Sequence, residues 1–266
     1  MSSDIRIIDL CAGIGGFSLG FERTNRAFRT VAFCEQNQFC QQILKKHWPK
    51  VPIFDDIKTF GYEGEAEIIT AGLPCQPFSV AGRQKGTTDD RHLWPFMREI
   101  IEQKRPQFIV IENVPNIINL GYDEICVGLE AENYAASTLL FPACAVGAPH
   151  LRNRLFIIGV NVADSPIKRV EGSRPAWKQE PQQPFEKKIS RRNGTGSRTK
   201  NRRSRPTICG IPDGFSYWLD TVEPPRITTE KTDRKKRLEA LGNAVLPQAV
   251  SFIAHGILKE IRNGKE

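Results

Sequence analysis

The stretch that decides the fold is residues 5–22, IRIIDLCAGIGGFSLGFE. Its first six residues are rich in isoleucine and leucine, which is typical of a buried strand. Gly13, Gly15 and Gly16 then allow a tight turn at the carboxyl end of that strand, and the residues after them suit a helix. The stretch therefore predicts a βα unit whose glycine turn leaves backbone N–H groups free at the start of a helix.

Strand and helix patterns alternate along the chain beyond this unit. Helical patterns occur in NQFCQQILKKHW, behind a capping Asn37, and in LWPFMREIIEQK. Short apolar runs that end in polar residues or glycine are TVAFCE, VPIFDDI, EIITAGLPC and FIVIENV, and two later strand candidates are YAASTLLF and RLFIIGV. Such alternation implies helices on both faces of a mostly parallel sheet. We therefore predict an α/β, Rossmann-like, doubly wound fold.

The basic residues of the chain are concentrated in one segment. Thirteen lysines and arginines but only three glutamates lie between 165 and 206, whereas the whole chain has a net charge of +8. This is expected of a surface that binds a polyanion, although a solvated linker would have the same composition. Regular patterns return with ALGNAVLPQAVSFIAHGILKEI. We predict an α/β domain at 1–163, a short basic region at 164–232 and a C-terminal segment at 233–266 that returns to the first domain.

Composition excludes several other classes of protein. No run of about 18 apolar residues suggests a membrane span, and the N-terminus lacks the features of a signal peptide, so a cytoplasmic location is expected. The seven cysteines form an odd set without a C-x-x-C pair or a paired histidine spacing. A disulfide framework and a zinc site are therefore not expected, and we predict no metal.

Acidic residues at strand ends suggest a nucleoside cofactor. Glu35 and Asp56 end the second and third predicted strands, where nucleotide-binding sheets carry groups that hold a ribose. A capping or surface role is the alternative for each carboxylate. A strict G-x-G-x-x-G motif from Gly13 would need glycine where Ser18 stands, which disfavours a nicotinamide pyrophosphate. A nucleoside without a pyrophosphate fits better, and S-adenosylmethionine is the common one.

The ordered parts of the chain resemble the cytosine-C5 DNA methyltransferases. The matching motifs, in the order of that family, are DLCAGIGGFSLGFE, FCEQNQFC, FDDI, GLPCQPFSVAGRQKG, FIVIENV, HLRNRLFIIG and LEALGNAVLPQ. The resemblance implies a class I S-adenosylmethionine-dependent methyltransferase fold, with a catalytic and cofactor-binding domain at 1–163 and a target-recognition region at 164–232. It implies that the cofactor is bound by Cys11, Ala12, Gly13, Gly15, Gly16, Phe17, Glu35, Gln36, Asp56, Ile57, Pro74 and Asn243.

The same resemblance implies a covalent mechanism that yields 5-methylcytosine in double-stranded DNA. Cys75 would add as a thiolate to C6 of a flipped-out cytosine, and Glu112 would contact N3. Arg152 and Arg154 would line the base pocket and support the thiolate. Burial beside the strand at 108–111 would raise the pKa of Glu112, so that its carboxyl group could donate a proton near neutrality. The loop 79–86, which carries Arg83 and Lys85, resembles the mobile active-site loop of the family.

Four features depart from the family pattern. Cys11 stands where an aromatic residue usually lies near the cofactor, and Gln36 stands where a large apolar residue often covers the adenine. His150 replaces a common glutamine. The target-recognition region is short, which suggests a short DNA target. Its aromatic residues Phe215, Tyr217 and Trp218 are candidates for a small core, or they pack on the catalytic domain.

Two other functions compete with this reading. A tRNA cytosine-C5 methyltransferase of the same fold would carry Cys-Phe-Thr before the pocket arginines, but this chain has FPACAVGAPH there. A catalytically inactive DNA-binding relative would have no physical need for the thiol of Cys75. A monomer is expected because base modification needs one copy. The sequence is compatible with a cognate restriction endonuclease and equally with a solitary methyltransferase.

Overall fold

A computed structural model describes residues 4–74, 93–147, 152–163 and 234–263, all of which belong to one compact unit. The strands are β1 (Ile5–Leu10), β2 (Phe28–Cys34), β3 (Ile53–Phe54), β4 (Ile68–Gly72), β5 (Phe108–Asn113), β6 (Tyr134–Pro142) and β7 (Asn153–Asn161). The helices are α1 (Gly16–Thr24), α2 (Gln38–His47), α3 (Trp94–Lys104), α4 (Tyr122–Ala131), α5 (Arg234–Asn243) and α6 (Pro247–Asn263).

Within the described residues, the strands form one seven-stranded sheet in the order β3-β2-β1-β4-β5-β7-β6. The neighbours from β3 to β5 are parallel, whereas β7 runs antiparallel to both β5 and β6. The predicted α/β, mostly parallel sheet is therefore confirmed. Strand β1 lies between β2 and β4, so the order in which successive strands are added changes direction at β1. In sheets of this kind, ligands bind at this point, beyond the carboxyl ends of the strands.

Two apolar clusters cover the two faces of the sheet. One contains buried residues of α3 and α4, such as Trp94, Met97 and Leu129, packed on strand residues. The other contains Phe17 and Phe21 of α1 together with Val250 and other residues of α6. Because β5 lies between both layers, all six of its residues are buried, which explains its unbroken apolar run.

The C-terminal helix packs tightly on the first helix. A Cβ atom added at Gly20 of α1 would lie 2.5 Å from Cβ of Val250 on α6, so only glycine fits at this crossing. The hydroxyl of Ser251 also donates a hydrogen bond to the carbonyl of Gly20 at 2.9 Å. The first turns of α6 are thus held against α1, the helix that follows the glycine turn.

Local signals agree with most element boundaries. The side chain of Asn37 accepts hydrogen bonds from the backbone N–H groups of Phe39 and Cys40, as expected of the predicted cap of α2. Only Ile53–Phe54 of the predicted third strand pairs in the sheet. Helix α5 begins at Arg234, before the regular pattern that the sequence suggested, and it ends at Asn243 of the predicted Gly-Asn turn.

One run of described residues, Lys235–Asn263, is long and apolar enough in composition to cross a membrane. The turn at 244–246 divides this run into α5 and α6. The apolar residues of α6, among them Val250, Ile253 and Ile257, are buried with α1 and the sheet. This packing is that of a core helix in a globular domain.

Candidate active site

A cavity of about 330 Å³ lies at the carboxyl edge of the sheet, beyond β1, β2, β4 and β5. Ten of the sequence-predicted site residues line it: Cys11, Gly13, Glu35, Gln36, Asp56, Ile57, Pro74, Glu112, Arg154 and Asn243. They come from both ends of the described chain, because the last residues of α5 line the cavity together with residues at the ends of the strands. The fold therefore gathers residues predicted for the cofactor and for the base around one space.

The glycine turn and Glu35 form one wall of this cavity. Gly13 and Gly15 have φ angles of 56° and 84°, in the left-handed region that favours glycine. The N–H of Gly13 donates to Glu35 Oε2 at 2.7 Å, and the N–H of Asn37 donates to Glu35 Oε1 at 2.7 Å. The Glu35 carboxylate is thus held by two backbone donors, and each of its oxygens keeps a further lone pair for a ligand hydroxyl.

Asp9, near the end of β1, stabilises the start of α1 that follows the glycine turn. This role was not predicted from the sequence. Asp9 is fully buried in β1, and it accepts hydrogen bonds from the hydroxyls of Ser18 on α1 and Thr70 on β4, both at 2.8 Å. Burial raises the pKa of Asp9 to about 7, although these hydrogen bonds favour the charged form. Ser18 breaks the dinucleotide motif because it has this structural role. An acidic residue inside the apolar run IRIIDL was the available signal.

The turn after β3 supplies the next wall. The carboxylate of Asp56 accepts a hydrogen bond from the N–H of Lys58 at 3.0 Å and so caps a short turn, Ile57–Thr59. Asp56 also lines the cavity, so the capping alternative and the cofactor prediction are compatible. Asp55 lines the cavity as well, and it was not among the site residues predicted from the sequence. Its Oδ1 accepts a hydrogen bond from Gln41 Nε2 at 2.8 Å.

The buried Glu112, near the end of β5, forms an ion pair with the partly buried Arg154 of β7. Arg154 Nε lies 2.7 Å from Glu112 Oε1, and the Glu112 side chain is 8% exposed. The distance is that of an ion pair, but the N–H direction does not suit a hydrogen bond, so Oε1 has no aligned donor within the described part of the chain. Burial raises the pKa of Glu112 to about 7, while the charges of Arg154 and Arg152 oppose that rise.

Arg152 lies apart from the cavity lining. Its Nη2 donates a hydrogen bond to the carbonyl of Ala244 at 2.8 Å. This bond joins the residue before β7 to the turn that directly follows Asn243, the last residue of α5. Arg152 is therefore placed to hold the C-terminal wall of the cavity, and its charge also acts on Glu112.

Four predicted cofactor residues do not line the cavity with the others. Gly15 packs against Trp48, where an added Cβ would lie 2.6 Å from the indole ring, and Gly16 begins α1. Ala12 is buried with Phe33 and Leu44, and the ring of Phe17 meets that of Phe156 edge to face. These residues shape the turn. Cys75, His150, the loop 79–86 and the region 164–232 lie outside the described residues.

Other cavity residues were not selected from the sequence. Cys34, Asn37, Cys40 and Asn113 line it, as do Glu239, Ala240 and Gly242 of α5. Asn113 stands beside Glu112 in the motif ENV, and its Nδ2 donates to the carbonyl of Leu73 at 3.4 Å. No group of three or more His, Cys, Asp and Glu side chains that could hold a metal ion occurs among the described residues.

A profile of the family described as C-5 cytosine-specific DNA methylase matches residues 5–213. The chain belongs to this family. Proteins similar to it include the Type II methyltransferase M.SsoII of Shigella sonnei, 37% identical over 164 residues. Another is the Type II methyltransferase M.NlaX of Neisseria lactamica, 33% identical over 163 residues. These matches cover 59% and 58% of this chain but only 42% and 51% of the relatives, about half of their length.

A solved structure of a DNMT2 mutant from Spodoptera frugiperda has the same fold as this C-5 cytosine-specific DNA methylase. The superposition has a TM-score of 0.52 and covers 62% of this chain and 53% of the DNMT2 chain, at 23% sequence identity. The class I methyltransferase fold inferred from the sequence motifs is thereby confirmed.

Proposed function

We propose that this protein is a DNA cytosine-C5 methyltransferase that converts a flipped-out cytosine of duplex DNA into 5-methylcytosine. One observation carries the proposal: the buried Glu112 and the partly buried Arg154 that pairs with it line the same cavity as the cradle formed by Gly13 and Glu35. Pro74, which precedes Cys75 in the chain, lines that cavity too. An acid, a cation and a nucleoside cradle therefore meet at one sheet edge.

Glu112 is suited to act on N3 of the cytosine. A carboxyl group whose pKa is about 7 is protonated in a large fraction of molecules at neutral pH, so it can donate a hydrogen bond to N3. This donation draws electrons from the ring and makes C6 open to attack. Arg154, beside Glu112, is available to the cytosine O2 and supports the developing negative charge.

Cys75 is the proposed nucleophile. Its thiolate forms a bond to C6, and the electron pair of the C5–C6 double bond makes C5 nucleophilic. When bound, S-adenosylmethionine would supply the methyl group that C5 accepts, and it would leave as S-adenosylhomocysteine. A base then removes the C5 proton, the double bond re-forms, and Cys75 leaves as a thiolate, so that atoms and charges balance. The target base must leave the helical stack before any of these steps.

The cavity fits the nucleoside part of S-adenosylmethionine. Glu35 offers acceptor oxygens for ribose hydroxyls, and Asp56 and Ile57 offer a polar and an apolar group beside them. Cys11, Gln36 and Asn243 complete the lining on the remaining sides. Gly13 has open space where a side chain would start, so a ligand can approach its backbone closely.

Duplex DNA is the proposed substrate, and the basic region 164–232 is the proposed recognition region. Its lysines and arginines can contact phosphates, and a few ordered polar side chains would read base edges in the major groove. The similar proteins are named Type II methyltransferases, which supports a cytoplasmic, prokaryotic or phage setting and a cognate restriction endonuclease as a partner. The proposed active form is a monomer.

Labelled S-adenosylmethionine tests the proposal directly. The protein is incubated with this donor and with either duplex DNA or tRNA, and bisulfite sequencing then locates the methylated cytosine. Label in DNA is the expected result. Label in tRNA alone would show that the substrate is tRNA and not DNA. Label in neither would show that the protein is inactive as a methyltransferase and acts, at most, in binding.

The variant Cys75→Ala tests the covalent step. It should lose methyl transfer and keep most of its DNA affinity, because the thiol takes part in bond formation and in no phosphate contact. Electrophoretic mobility shifts and the transfer assay measure the two properties on the same DNA. Full transfer by this variant would contradict the mechanism.

A further inference from the structure

Gln41 joins two walls of the cavity without lining it. It lies in the first turns of α2 and is 8% exposed. Its Nε2 donates to the backbone carbonyl of Glu35 at 2.6 Å and to Asp55 Oδ1 at 2.8 Å. A carbonyl and a carboxylate can only accept, so the nitrogen of the amide must face them and both of its protons are used.

The bridge lies where the sheet itself stops holding the two walls together. Strands β2 and β3 pair over two residues each, Phe33 with Ile53 and Cys34 with Phe54. The N–H of Glu35 still donates to the carbonyl of Phe54 at 2.9 Å, and beyond that point the chains turn into the cavity walls. Gln41 extends the connection one step past this last bond of the ladder.

Both partners of Gln41 lead directly to cavity residues. The carbonyl of Glu35 belongs to the residue whose carboxylate is fixed by Gly13 and Asn37. Asp55 lines the cavity and precedes Asp56 and Ile57, which line it too. The Gln41 amide therefore sets the distance between the carboxylate on one wall and the turn 55–57 on the other.

We propose that Gln41 is a positioning residue for the nucleoside part of S-adenosylmethionine. It holds the Glu35 wall and the 55–57 turn at the spacing that the ribose and adenine require. The identity of the ligand rests on the proposed function, whereas the bridge is a property of the described residues. Gln41 acts through Glu35 and Asp55 and touches no reacting atom.

The variant Gln41→Glu tests this role because it changes donors into acceptors at constant shape. Its carboxylate would face the Asp55 carboxylate and the Glu35 carbonyl, so both hydrogen bonds become repulsive. Gln42→Glu is the matched control, with the same change of charge at the next, exposed position of the helix. Isothermal titration with S-adenosylhomocysteine, the unreactive product, should show about a tenfold weaker affinity for Gln41→Glu and a change below about twofold for Gln42→Glu.

Two further measurements separate positioning from a general loss of structure. At lower pH the introduced carboxyl group takes up a proton and regains one donor, so the difference between the two variants should narrow. Adding Asp55→Asn to Gln41→Glu supplies an amide donor from the opposite side and should recover much of the lost affinity. Recovery by either route would not follow if helix α2 had simply unfolded.

Several outcomes would overturn the inference. Equal affinities of Gln41→Glu and Gln42→Glu would do so, and so would a loss that neither low pH nor Asp55→Asn reduces. If Gln41→Glu does not fold, Gln41→Met removes both donors without adding charge, and an affinity equal to that of the parent would overturn the role. Failure of the parent itself to bind S-adenosylhomocysteine would instead reject the proposed cofactor, and with it this inference.

A kinetic readout on DNA completes the test. A positioning role in the nucleoside site raises KM for S-adenosylmethionine and leaves kcat and the DNA affinity of Gln41→Glu close to those of Gln42→Glu. If kcat of Gln41→Glu at saturating cofactor falls by the same factor as KM rises, the inference is contradicted.

Discussion

Glu112 lies near the end of β5, the last parallel strand of the sheet, with Gly72 of β4 on one side and Phe156 of the antiparallel β7 on the other. Glu112 lines the cavity. Water is largely excluded, so the charged form loses hydration that Arg154 replaces only in part. The result is a carboxyl group with a pKa of about 7 at the place where the proposed mechanism requires a proton donor.

Replacing Glu112 by Gln should lower kcat by about 10² to 10⁴, because the amide can form a hydrogen bond to N3 but cannot transfer a proton. In the parent, activity should fall as the pH rises through about 7 and Glu112 loses its proton. The activity of Glu112→Gln should not show this fall as the pH rises through about 7. The exposed Glu102→Gln on α3 is the control and should keep the parent rate and profile. A normal rate for Glu112→Gln would remove Glu112 from the mechanism.

Asp9 provides a separate prediction about stability. Its folded pKa of about 7 lies above the value of 3.8 for an exposed aspartate, so the folded state binds the proton more tightly than the unfolded state. This contribution to stability is complete below pH of about 4 and is lost as the pH rises through about 7. For Asp9 alone the loss between pH 5 and pH 8 amounts to roughly 2–3 kcal/mol of the free energy of unfolding.

The variant Asp9→Asn should remove that part of the pH dependence, since an amide does not titrate. Urea unfolding at pH 5 and pH 8 measures the difference for the parent and the variant. Asp123→Asn, at an exposed position of α4, is the matched control and should leave the slope unchanged. An unaltered slope in Asp9→Asn would show that the buried carboxyl group does not bind the proton.

At the scale of elements, the crossing of α1 and α6 fixes the position of the cavity's C-terminal wall. Gly20→Ala should destabilise the fold by about 1–3 kcal/mol, because the new methyl group would meet Val250 in a packed core. Gly256→Ala, on the same helix pair but with open space around it, should stabilise by roughly 0.5–1 kcal/mol through helix propensity. Thermal unfolding of both variants checks this contrast in sign. A neutral Gly20→Ala would mean that the helices can move apart.

The same scale shows what the sequence could predict. Apolar runs with polar ends identified the strands, and parallel strands bring their ends to one edge, so Glu35, Asp56 and Glu112 could be grouped in advance. The packing of Phe17 against Phe156, away from the cavity, could not be predicted, because the direction of a side chain at a helix start depends on its packing partners. The pairing of Gln41 with Asp55 and of Arg152 with Ala244 likewise joins distant positions that no local pattern connects.

At the scale of the whole molecule, charge divides the chain more sharply than secondary structure does. The segment 165–206 carries more positive charge than the entire chain, so the remainder is slightly acidic. A weakly acidic remainder gains little from nonspecific attraction to phosphates. DNA affinity should therefore depend on the basic segment, and the cavity should recognise a base that this segment has already brought near.

The salt dependence of DNA binding measures this division of labour. Replacing Arg202, Arg203 and Arg205 by Gln should reduce the slope of log K against log salt by up to about 2.7, since each phosphate contact contributes about 0.9. The matched control replaces the exposed Lys45, Lys46 and Lys50 by Gln. It should change the slope by less than about 0.9, the contribution of one phosphate contact. Affinity for S-adenosylhomocysteine should be the same in both triple variants, because the three lysines do not line the cavity and the three arginines are proposed to contact phosphates. Equal reductions in slope would place the phosphate contacts across the whole surface and would refute a dedicated basic recognition region.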